Sequence, residues 1–168
     1  MGHYLTALIT PLPIDEAKAA EMELAVVFES GMAIVPLVPE SLDEWSRMLE
    51  EKYVPYGRSI IIDCSVTHRL ATLLGLSSYA LVETEYFGGT GSQHASYFRD
   101  GVKELDEVSI NEVLRSMGVE KGADKFDEFD TIGLGKYRHT DDDIFWSVQD
   151  TGRRVGNILV GRRRFSWG

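Results

Sequence analysis

Residues 79–103, YALVETEYFGGTGSQHASYFRDGVK, constrain the fold more than any other stretch. Tyr79, Leu81, Glu83, Glu85 and Phe87 alternate with Ala80, Val82, Thr84 and Tyr86. Three glycines within residues 88–92 break the pattern, and Gln93 to Phe98 resume it. Period-two alternation bounded by glycines predicts a β-ribbon, because successive side chains of a strand point to opposite faces. Asp100-Gly101 predicts a second tight turn, since both central positions of such turns favour residues that tolerate positive φ. A phosphate-binding loop is a poor reading of residues 88–92. Neither glycine fingerprint of that function is present, and a strand pattern rather than a helix follows.

The flanking segments supply helices and further strands. Residues 4–12 read as a first strand ended by Pro11 and Pro13, and Asp15 suits the N-cap of a helix that continues to residue 29. The alternative for residues 26–38 is a hairpin around Ser30-Gly31; the unbroken run of Ala, Met, Leu and Val favours the helix. Ser41 with Glu44, and Ser109 with Glu112, have the spacing of capping boxes, predicting helices over 41–53 and 109–117. Gly118 suits a left-handed stop. Residues 59–63, SIIID, read as a central strand and Ser65 as the cap of a helix over 66–74. Together these predict a single α+β domain, with a mixed, mostly antiparallel sheet of about five strands and helices largely on one face. Residues 151–168 form a basic C-terminal arm that includes Arg162, Arg163 and Arg164.

Composition narrows the function. With 168 residues and a hydrophobic share of 43%, the chain can bury a core of its own. No apolar run approaches the roughly 18 residues that span a bilayer, and the first residues lack the features of a secretory signal. A single cysteine, Cys64, permits no internal disulfide and fits a cytoplasmic setting. The net charge is −10, unevenly placed: residues 1–150 hold all 27 acidic and 12 of the 17 basic residues, a net of −15. Such a body disfavours nucleic acid, whose binding rests on cations neutralising phosphates. It favours a basic protein partner, steered by its field.

The ribbon carries the densest set of reactive groups. Glu83 and Glu85 share a face, roughly 7 Å apart at the strand rise. Paired carboxylates serve acid–base work when one is held protonated. His94 is the candidate general base, its ordinary pKa of about 6.5 lying near working pH. Gln93 lies across the ribbon. Cys64 with His68 or His94 is a possible nucleophile–base pair, although a lone cysteine after an apolar run is more often a small buried hydrophobe. Scattered histidines give no zinc motif, and Asp141-Asp142-Asp143 lacks the spacing of a calcium loop, so neither a metal nor a cofactor is expected.

In size, acidity and lack of catalytic motifs the chain resembles the small immunity or inhibitor proteins that neutralise bacterial toxins. The resemblance implies a non-enzymatic, acidic protein-binding module. Glu83, Glu85, Asp124, Asp127, Glu128 and Asp130 supply its field, Tyr86, Phe87 and Trp146 its anchors, and Gln93 a polar contact. The alternative reading is a small enzyme or ligand-binding protein working at residues 83–94, with His94 flanked by Glu83 and Glu85.

Overall fold

A computed structural model describes residues 3–87 and 90–137, with the backbone of two short strands beyond them. The element order is β1 (His3–Pro11), α1 (Glu16–Glu21), β2 (Val26–Glu29), β3 (Met32–Pro36), α2 (Leu42–Met48), α3 (Ser65–Leu73), β4 (Ser78–Phe87), β5 (Thr90–Arg99), β6 (Val102–Val108), α4 (Ile110–Ser116), α5 (Glu128–Thr131), β7 (Arg154–Val155) and β8 (Ile158–Leu159). The strands form one sheet in the order β6-β5-β4-β1-β3-β2-β8-β7, and every pairing is antiparallel. The α+β class is as expected. The residues Trp146, Asp141, Asp142 and Asp143, and the arginines at 162–164, lie outside the described residues.

Strand β1 explains why the sheet needs cover on both sides. Six consecutive residues, Leu5 to Thr10, are buried, and none is charged. Leu5, Ala7 and Ile9 join a core with Ile110, Val113 and Leu114 of α4 and with Ile132 after α5. Leu8 faces the other way, into a core with Ala19 of α1 and Leu70 and Ala71 of α3; Trp45 of α2 packs at its margin. Among the described residues helices cover both faces, three on one and two on the other, so the larger share lies on one face as expected.

Four local expectations are corrected. The first helix ends at Glu21, because Glu23 takes a left-handed φ of 57° and Val26-Val27-Phe28 suit a strand. Residues 26–36 are thus the β2–β3 hairpin, turning at Ser30 and Gly31 with φ of 48° and 79°. Ser41 is itself helical and makes no side-chain cap, so α2 starts from a 3-10 turn and is shorter than 41–53. Ser65 does not cap α3. Its hydroxyl donates to the Lys52 carbonyl at 2.6 Å and accepts from the Val54 amide at 2.8 Å, tying down the preceding loop. Ser109 does cap α4 through the Glu112 amide, and Gly118 follows that helix at φ 88°.

The fourth correction matters most for function. Residues 59–63 are not a central strand but an irregular loop laid over the β4–β6 ribbon. Ile60 and Ile62 are buried, as in a strand, but Ile61 is exposed, and the amides of Ser59 and Ile61 go to carboxylates. Glu107 accepts from the amides of Arg58 and Ser59, both at 2.6 Å, and Glu83 accepts from that of Ile61 at 2.8 Å. A short apolar run has no periodicity to tell a buried loop from a strand.

Candidate functional site

The loop just described ends in Asp63, and its placement creates the most developed polar cluster among the described residues. Asp63 is 1% exposed. A carboxylate so deeply buried needs partners on both oxygens, because an unpaired buried charge is strongly destabilising. One oxygen meets Nε2 of His68, one turn into α3, at 2.7 Å; the other accepts from Nζ of Lys103, on β6, at 2.9 Å. Burial alone would raise the Asp63 pKa. The hydrogen bonds from His68 and Lys103, together with the lysine's charge, outweigh burial and hold it below the usual carboxylate range.

The chain of hydrogen bonds continues past the imidazole. Nδ1 of His68 lies 2.5 Å from the Tyr79 hydroxyl at the start of β4. An ionised Asp63 only accepts, so Nε2 of His68 donates to it; in the neutral imidazole Nδ1 then accepts from the phenol. Burial, with the nearby Asp63 charge, pushes Tyr79 up to about 12, which keeps its proton on oxygen. The rings pack as tightly as the polar atoms pair. Tyr79 stacks on Phe98 at 5.3 Å, its register partner in β5, and His68 meets Phe98 edge-on at 4.6 Å. The Lys103 ammonium lies 5.4 Å from the Phe98 centroid and also donates to Asp106 at 3.1 Å.

This network walls an open cleft of about 340 Å³, lined by Tyr56, Asp63, His68, Tyr79, Phe98 and Lys103 together with Thr72 and Gly101. Tyr56 forms the outer wall, its ring 5.7 Å from that of His68. A second cleft of similar size opens on the far side of the loop, between Tyr53, Arg58, Ile61 and Glu83. Asp63 borders both, so the loop is a partition with Asp63 at its root.

The residues singled out from the sequence fall elsewhere and apart. Glu83 and His94 are directly opposite across β4 and β5, with Glu85 on the same face two residues on. The Glu83 carboxylate is occupied by the Ile61 amide, and burial raises its pKa despite that bond and the nearby His94, with Glu85 adding to the rise. Tyr86 and Gln93 face the opposite side of the sheet and bond to each other at 2.6 Å. Phe87 stands 78% exposed at the ribbon tip. Asp127 caps α5 and accepts from Asn111 at 3.0 Å, Glu128 is buried against Arg115 at 3.1 Å, and Asp130 accepts the Phe126 amide. These three belong with α4, on the sheet face opposite Glu83 and Glu85. These acids divide between two faces of the sheet, and several serve internal bonds.

Cys64 is fully buried, its sulfur 3.5 Å from the Thr67 hydroxyl, while His68 turns to Asp63 and Tyr79. The suggested Cys64–His68 pair is not made. Among the described residues no group of three His, Cys, Asp or Glu side chains is placed to hold a metal ion, and no helix is long and apolar enough to cross a membrane. The sequence marks His68 only as a base for Cys64 and gives no functional mark to Asp63, Tyr79 or Lys103. The available signal was an aspartate at the end of an apolar run, a position whose burial demands partners. Compared with known proteins, the chain matches no family model, and no curated protein or solved structure is significantly similar to it.

Proposed function

We propose that this chain is a ligand-binding protein whose site is the cleft at the base of the ribbon, between α3 and β4–β6. The observation that carries the reading is the Tyr79–His68–Asp63–Lys103 chain on the wall of that cleft. Small-molecule sites combine apolar and aromatic walls with a few well-held polar groups, and this cleft has that composition. The four groups hold one another in place, which gives the cleft a fixed polar wall. A fragment screen by NMR tests the reading. Bound fragments should perturb His68, Tyr79 and Lys103, and Tyr56→Ala should weaken them about tenfold with the fold intact. Fragments that settle elsewhere, or none at all, would refute it.

A second reading, an acidic module of the inhibitor or immunity type that engages a basic protein, draws on a separate observation. Phe87 and Phe126 are 78% and 87% exposed, on a body carrying a net −15 over residues 1–150. Exposed rings beside acids such as Glu85, Asp124 and Asp130 suit anchor-and-field recognition. Its signature is capture that weakens steeply with salt and fails on loss of Phe87. A cytoplasmic setting accompanies both readings, since Cys64 is a buried free thiol.

A further inference from the structure

Resting on the ligand-binding reading above, we infer that the cleft takes an uncharged, planar ring carrying a hydrogen-bond acceptor, of the nucleobase or phenol class. Three observations define that class. The first is charge. The acidic and basic side chains lining the cleft are Asp63 and Lys103, already paired at 2.9 Å, and His68, whose two nitrogens are both bonded. A charged ligand would shed its hydration without gaining a counter-ion, an exchange that favours neutral molecules.

The second is shape. Phe98, Tyr79 and His68 form a packed aromatic floor, and the Tyr56 ring stands more than half exposed above it. Flat ligands gain most from such walls, by offset or edge-on contact. At about 340 Å³ the space lies at the lower end of the roughly 300–1,000 Å³ of small-molecule sites, which suits one ring system. The third is polarity. An ammonium has three protons, and Lys103 gives two of its hydrogen bonds to Asp63 and Asp106. The remaining proton points the requirement to an acceptor atom on the ring.

Calorimetric titration of the full chain with adenine, phenol, benzoate and benzylammonium at pH 7 tests this. Adenine or phenol should bind at least tenfold more tightly than either charged ring, and Tyr56→Ala should weaken the neutral rings about tenfold. The charge argument has its own check. Lys103→Met leaves Asp63 uncompensated and should move the preference towards benzylammonium, whereas Asp63→Asn should move it towards benzoate. Should either substitution prevent folding, the order of the four probes on the unaltered chain still decides. Tighter binding of benzoate or benzylammonium by the unaltered chain would overturn the neutral-ring inference while leaving a ligand cleft in place. Binding of none of the four, or binding indifferent to Tyr56→Ala, would overturn both.

Discussion

The two ends of the β4–β5 ribbon use similar residues to opposite effect. At its base Tyr79 and Phe98 are buried, stacked on each other, and joined to His68, Asp63 and Lys103. At its tip Phe87 is open to solvent, Tyr86 and Gln93 bond only locally across the ribbon, and Glu85 is exposed. Polar and aromatic residues are as dense at one end as at the other. Cover makes the difference: α3 and the loop before it lie over the base, so its polar groups must find partners, whereas water serves those at the tip.

The comparison breaks first, and hardest, at Asp63. Asp63→Ala leaves the Lys103 ammonium and His68 without their buried partner and should cost about 3 kcal/mol or more in denaturant unfolding. Glu85→Ala, the same kind of deletion at the exposed tip, should cost about 0.5 kcal/mol or less. Equal losses would show that the base is not the more tightly coupled end. Acid should discriminate in the same direction. The folded Asp63 titrates below its ordinary value, so its contribution is fully present above the unfolded value of about 3.9 and is lost as pH falls through the folded one. Stability curves of the unaltered chain should therefore fall below about pH 4, and Asp63→Asn should flatten that limb.

Glu107 is the next most exposed to test. It holds the partition loop by two amides at 2.6 Å, from a left-handed φ of 50°, and its carboxylate is buried. Burial would raise its pKa, and the amides of Ser59 and Arg58 bring it below the usual range instead. Glu107→Ala should cost about 2 kcal/mol, the scale of hydrogen bonds to a charged acceptor. It should also speed amide exchange at residues 58–60 with the ribbon's own strands unchanged. Exchange that rises equally throughout β4 and β5 would mean the loop and ribbon open as one unit.

These residues also mark where sequence stops being legible. The ribbon, its turn at Asp100-Gly101 and the α+β class could be read because alternation is a local property. The cleft could not. Asp63 and His68, Tyr79, and Lys103 come from three segments, and only the crossing of α3 over the sheet joins them. Residues 59–63 misled for a related reason. Ile60 and Ile62 are buried in a loop as they would be in a strand, and the exposure of Ile61 and the destination of the amides separate the two. Glu83 was recognisable as an unusual group at the centre of a strand, but a backbone amide, invisible in any motif, is what it holds. The β2–β3 hairpin was obscured by residues 17–25, whose helix-forming composition carries no mark at Glu23, where the chain turns left-handed.

Glu83 gives the smallest expected effect and the sharpest sign. Burial lifts its pKa above the ordinary glutamate value of about 4.3, so the folded state binds more protons than the unfolded one between the two values. Stability from this group therefore declines as pH rises through that window, the reverse of Asp63. A glutamine keeps an oxygen to accept from the Ile61 amide and has no charge to bury. Glu83→Gln should accordingly be more stable than the unaltered chain at pH 7, by about 0.5 kcal/mol or less, with the gap closing near pH 4. A catalytic or partner-binding carboxylate would instead be marked by lost function at unchanged stability. Measuring unfolding and ligand or partner binding on this one variant separates a group that positions the loop from one that faces a ligand. It thereby tests whether the middle of the ribbon belongs with its covered base or with its open tip.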